Sequence, residues 1–201
     1  MYSKRAVLRL SNGMQFGGWS FGYDGPCDGE VVFSTAMVGY PESLTDPSYS
    51  GQILCVTYPL IGNYGVPDER VDENGISANF ESEKIWVRGL VISDYSEKYS
   101  HWDAVRSLGD WLKEQKIPGI FGIDTRELTK VLRENGSMLG RIIVGEDDGK
   151  FDVHDPNLTT RSRWSAARKS CATAKATRKS YLSTAASSTT YSAASWRGAW
   201  S

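Results

Sequence analysis

The 201-residue sequence predicts a mixed α/β domain followed by an unstructured tail, and three observations carry that expectation. Period-two apolar patterns fill the first half, three- and four-residue periods appear after about residue 100, and the last forty or so residues contain no periodic apolar pattern at all. A hydrophobic fraction of 40% supplies enough apolar side chain for one ordinary core.

The elements follow in chain order. Val7-Leu8-Arg9-Leu10, Ser11-Asn12-Gly13 and Met14-Gln15-Phe16 read as two short strands around an Asn-Gly turn, within Ala6 to Phe21. Glu30 to Met37 and Gln52 to Tyr58 are β-rich runs. Between them Gly39, Pro41, Asp46, Pro47 and Gly51 predict an irregular connection. Trp86 to Ser93 predicts a further strand after a Gly/Pro/Asp-rich connection from Pro59 to Ser82. The spacing of Trp102, Val105, Leu108, Trp111 and Leu112 behind Ser100 predicts an amphipathic helix with Ser100 as its cap. Ile117 to Ile123 is a short apolar strand. Asp124 and Glu127 then offer an N-cap with an acid three residues on, Leu128, Val131 and Leu132 form the buried stripe, and Asn135-Gly136 ends the helix. Gly140 to Gly145 supplies a closing strand.

Composition excludes several functional classes. No apolar run approaches the ~20 residues a bilayer crossing needs, and Met1 to Arg5 lead straight into a strand pattern, so a cytosolic location is expected. Cys27, Cys55 and Cys171 form no metal-ligand spacing, and an odd, scattered set fits free thiols in a reducing compartment. After Asp155 there is no acid, while Arg161, Arg163, Arg168, Lys169, Lys175, Arg178, Lys179 and Arg197 are all basic. Set against a net charge of −1, these eight cations leave the preceding residues at −9. So acidic a body argues against a nucleic-acid surface on the folded part, and any polyanion binding falls to the tail.

Residues with chemical potential are few. His101 and His154 have no nucleophile beside them in sequence. Cys55 lies inside an apolar strand, where a buried inert thiol is the expectation, and Cys27 is read the same way. Asp24, Asp28 and Glu30 lack the regular ligand spacing of a calcium loop and read as a solvated turn, with no metal expected. The stretch from Val38 to Gly51 is the most constrained in the chain, with two prolines, two glycines and a crowd of hydroxyls. It admits two readings: a functional loop, or a packed Ω-loop stapled by Tyr40 and Tyr49.

The run GEVVFSTAMVGYPESLTDPSYSGQILCVTYPLIGNYGVP, Gly29 to Pro67, resembles the start of the carbamoyl-phosphate synthetase small subunit, including its fused form in multifunctional pyrimidine-pathway enzymes. Arg88 to Ile92, Gly122 to Thr129 and Leu132 to Gly136 resemble that family's later blocks, and the likeness spans Ala6 to about Leu158. The resemblance implies a swivelling β/β/α domain over residues 3–158. This domain docks on the large synthetase subunit or on fused synthetase domains. In the family a class I amidotransferase domain follows, whose Cys-His-Glu triad cleaves glutamine. Ammonia then passes to the large subunit, where bicarbonate and ATP, with Mg, yield carbamoyl phosphate, so no cofactor is implied for this chain itself. The position matching the family's glutamine-contacting serine is Ser48, the one site residue carried over, and no catalytic residue is implied here. YPLIGNYGVP, from Tyr58 to Pro67, tilts the resemblance towards the pyrimidine rather than the arginine route.

Nothing after Asp155 resembles the amidotransferase domain, so the chain reads as truncated and without glutaminase activity. Residues 159–201 read as a disordered basic tail. Shifted by one nucleotide, codons for Ala176 to Ser201 permit GNPKILLVDCGIKYNILRCLVARGVE, which resembles the first strand and helix of that missing domain; a lost reading frame near Thr159 is therefore the expectation. Three functions follow: a synthetase small-subunit component, a non-catalytic docking module for the large subunit, or a nucleic-acid-associated protein acting through its tail.

Overall fold

The computed structural model describes residues 4–73, 77–145 and 153. His154, Cys171 and the expected tail from 159 to 201 lie outside the described residues. Seven strands close into a barrel, and two further pairs of short strands lie beside it.

The first hairpin forms where the Asn-Gly signal places it, with β1 (Arg5–Leu10) antiparallel to β2 (Gln15–Ser20). The turn is fastened by Leu10 N–H to Met14 O and Gly13 N–H to Leu10 O. β3 (Cys27–Ser34) begins three residues earlier than the β-rich run suggested. It lies parallel to β4 (Gln52–Val56), which is parallel to β7 (Gly89–Val91). β10 (Gly119–Phe121) continues the parallel set beside β7 and turns antiparallel onto β2. β11 (Met138–Val144) bridges β1 and β3, antiparallel to both, and completes the ring. The small pairs are β5 (Leu60–Ile61) with β8 (Asp94–Tyr95) and β6 (Val66–Pro67) with β9 (Ala104–Arg106).

Side-chain alternation divides the core in two. Ile53 and Cys55 on β4 join Leu8, Val31, Val91, Ile120 and Ile142 in one buried cluster, while Leu54 and Val56 on the same strand join Leu90, Ile92, Trp111 and Leu112 in another. This is the period-two consequence of a strand buried on both faces. The helix α3 (Thr125–Asn135) gives Leu128, Val131 and Leu132 to the first cluster. The Asp124 side chain caps it by accepting from Glu127 N at 2.8 Å.

The helix expected behind Ser100 is corrected. α2 runs Leu108–Glu114, and its cap is Ser107, which accepts from Asp110 N at 3.1 Å. Trp102 and Val105 are 86% and 57% exposed, since Trp102 lies in a turn and Val105 in strand β9 rather than in a helix. Arg106 fixes that strand, pairing with Glu69 and, at 2.6 Å, with Glu114. The Trp86 to Ser93 and Ile117 to Ile123 runs form only their central three residues as strand. Among the described residues no helix is long and apolar enough to cross a membrane.

Candidate functional site

The constrained stretch from Val38 to Gly51 is not irregular: it holds the helix α1 (Tyr40–Thr45) and a single 3-10 turn (Pro47–Tyr49). Gly39, at φ 81°, occupies the left-handed region that starts the helix, and Pro41 sits in its first turn where no N–H is missed. The first N–H groups of a helix have no intrahelical acceptor. Here the Tyr64 hydroxyl accepts from Gly39 N at 3.0 Å and Tyr40 N at 3.1 Å. The Tyr40 ring stacks on Tyr64 with centroids 4.2 Å apart, and its own hydroxyl donates to Gly65 O. Burial holds the Tyr40 phenol well above its ordinary pKa, so it remains a donor. The staple is thus Tyr40–Tyr64, not the Tyr40–Tyr49 pair of the Ω-loop reading.

The far end of α1 is tied as firmly. The Thr45 hydroxyl donates to Pro41 O at 2.9 Å and accepts from Glu81 N at 3.1 Å. Ser82 Oγ donates to Thr45 O at 2.6 Å, Trp86 N–H donates to Leu44 O at 2.9 Å, and Leu44 is fully buried. Asp46 then ends the helix and accepts from Ser48 N at 2.8 Å through Oδ1, so its carboxylate sets the next turn. Tyr49 N–H to Asp46 O and Ser50 N–H to Pro47 O close that turn. A Cβ on Gly29 would collide with the Gly51 carbonyl, so the loop's exit lies hard against β3. Ser48 is exposed on this turn, with its backbone held and its side chain facing solvent. The arrangement presents a hydroxyl at a fixed place, which suits hydrogen bonding to a polar group brought from outside.

Among the described residues, the other sequence candidates are not brought to this turn as reacting groups. Cys27 and Cys55 are both buried, and desolvation pushes each thiol up to about 12. In a chain carrying Cys171→Ser we expect no thiol to react with a disulfide reagent at pH 8 while the protein is folded. Two should react after denaturation, and one fast thiol in the folded chain would contradict the burial. His101 lies edge-on to Tyr64 at 6.4 Å, and its Nδ1 accepts from Asp103 N at 3.3 Å. The three acids of the candidate cation loop are used separately. Asp24 binds Lys4 at 2.8 Å, Asp28 faces Arg88 at 3.5 Å, and Glu30 accepts from Gln52 and Ser137. Sequence reasoning missed Tyr64, Thr45 and Ser82 as supports of the loop. The only sequence hint was the Gly62-Asn63-Tyr64-Gly65 run, whose glycines mark a tight backbone path.

Comparison of the sequence with known proteins finds a family match. The profile of the carbamoyl-phosphate synthase small chain, CPSase domain, matches residues 8–142. Multifunctional protein ura1 of Schizosaccharomyces pombe is 56% identical over 151 residues, covering 74% of this chain and 7% of that protein. Multifunctional protein pyr1-3 of Dictyostelium discoideum is 51% identical over 158 residues, covering 77% of this chain and again 7% of the relative. The carbamoyl phosphate synthase arginine-specific small chain of Phaeosphaeria nodorum is 53% identical over 164 residues, covering 79% of this chain and 34% of that one. This chain therefore spans about a third of a separate small chain and a much smaller part of the fused proteins. The chain belongs to the carbamoyl-phosphate synthase small chain family, and the family's CPSase domain is the part matched.

Proposed function

We propose that this domain is the docking and positioning part of a glutamine-dependent carbamoyl-phosphate synthase, and that it hydrolyses no glutamine by itself. It binds the large synthetase subunit, or the equivalent fused domains, which use ATP and Mg. The swivelling β/β/α character implied by the family belongs to this proposal. Ser48 projects its hydroxyl towards glutamine held on a neighbouring amidotransferase domain. One observation carries the reading: the helix leading into the Ser48 turn is braced at both ends and Asp46 fixes the turn itself, while the two described thiols are buried and protonated.

Two measurements test it. The purified chain, titrated against the large synthetase subunit, is expected to bind with no ammonia released from glutamine. Ammonia release that follows the chain through purification would overturn the non-catalytic half, and absence of binding would overturn the docking half. In a polypeptide that also carries the amidotransferase domain, Ser48→Ala should raise KM for glutamine about fivefold, the worth of one hydrogen bond of ~1 kcal/mol, with kcat nearly unchanged. An unaltered KM would remove Ser48 from the site.

A further inference from the structure

Away from the Ser48 turn, a cleft of about 380 Å³ opens between the segment after β2, the connection between β8 and β9, and α2. Its floor is rigid: the Phe21 and Tyr95 rings stack with centroids 4.4 Å apart, and the Tyr95 hydroxyl accepts from Gly109 N at 3.1 Å. Its walls carry charge of both signs, from Lys4 and Lys113 on one side of the balance and Asp24, Glu97 and Asp110 on the other.

These charges are unequally committed. Asp24 is satisfied by Lys4 at 2.8 Å and by the Ser20 hydroxyl at 3.1 Å, and the Lys4 hydrogen bond holds its carboxyl below the ordinary range. Asp110 accepts from the Ser107 hydroxyl at 2.7 Å. Lys113 reaches Asp110 only at 4.0 Å, the loosest ion pair in the cleft. Among the described residues nothing ties down the Glu97 carboxylate. An unengaged anion and a loosely held cation thus share one preformed cleft with an aromatic floor, and its three carboxylates outnumber its two lysines.

We propose that this cleft binds a small free zwitterion, of the amino-acid class, with its ammonium group on Glu97 and its carboxylate on Lys113. The aromatic floor covers the methylene portion, and the excess of carboxylates favours a ligand with a second cationic group. A cleft of this size accommodates such a molecule with water, and the satisfied pairs Lys4–Asp24 and Ser107–Asp110 act as fixed walls that need no rearrangement on binding.

The test follows backbone amide NMR signals of Gly22 and Gly109, both lining the cleft, at low ionic strength, where exposed charges are least screened. L-lysine is the probe, with cadaverine, which lacks the carboxylate, and hexanoate, which lacks both ammonium groups, as the comparison arms. Lysine is expected to shift both signals saturably with a Kd on the order of 1 mM, while the other two fail to saturate at about ten times that concentration. Glu97→Gln and Lys113→Met should each weaken lysine at least about fivefold. Both side chains are exposed, so unchanged signals from Leu8 and Ile142 will show that the variants keep the fold. Absence of a lysine shift, cadaverine or hexanoate binding as tightly as lysine, or full affinity in both variants would each overturn the proposal.

Discussion

Leu128→Ala should lower the stability of the domain by about 2–5 kcal/mol, with a fall in Tm of roughly 5–15 °C. Leu128 is fully buried and sits in the cluster that fills the barrel, beside Ile53, Cys55 and Val91. It comes from α3, whose opposite face is solvent, so the helix holds its place through Leu128, Val131 and Leu132 alone among its apolar side chains. Truncation removes the transfer energy of the lost methyl groups and leaves a void that strands hydrogen-bonded on both sides cannot collapse into. Arg126→Ala, on the exposed face of the same helix, serves as the control and should stay within about 0.5 kcal/mol. Urea unfolding of the two variants decides the matter; a loss below about 1 kcal/mol for Leu128→Ala would mean that α3 does not plug the barrel.

Tyr64→Phe should be the most damaging conservative change at the candidate site. The phenol oxygen accepts from two backbone donors, Gly39 N and Tyr40 N, and the lost atom cannot be replaced by any residue of α1. A fully buried donor left unpaired costs about 1–3 kcal/mol and these two are only part-buried, so each should cost towards the low end, whereas the ring stack with Tyr40 survives. A total loss of ~2 kcal/mol is expected, concentrated locally, so amide exchange at Gly39 and Tyr40 should accelerate by roughly ten- to a hundredfold. On the role proposed for Ser48, the same variant should also raise KM for glutamine in a polypeptide that carries the amidotransferase domain, since the Ser48 turn is reached through α1. Unchanged exchange at both amides would show that the hydroxyl is not their acceptor in solution.

These two sites also mark where sequence legibility ended. α3 was readable to the residue because cap, stripe and stop are local: Asp124, the Leu128–Val131–Leu132 spacing and Gly136 all lie within one helix. The β1–β2 hairpin was readable for the same reason. α2 was misread because Trp102 and Val105 fall on its period by coincidence. The segment instead pairs as β9 with β6, and Arg106 reaches Glu69, partners that no local period reveals. The strand pairs β5–β8 and β6–β9 were missed because strands of two or three residues carry no readable period. At the candidate site, family likeness pointed to Ser48, but the brace on Tyr40 from Tyr64, two dozen residues on, left no more than the glycines around Tyr64 as a hint, and those do not name its partner. Closure of the sheet was likewise invisible, since it depends on which distant strands share an edge.

That closure governs how the polypeptide can acquire its shape as it leaves the ribosome. β1, the first strand of the barrel to be made, has β11 as one of its two neighbours, and β11 ends at Val144. The hairpin must therefore wait while more than a hundred residues are added, with one margin of β1 unpaired throughout. Vectorial synthesis gives this domain no stable half-way house: its order arrives late and all at once, and until then the nascent chain presents a sticky ribbon for which chaperones are the natural custodians.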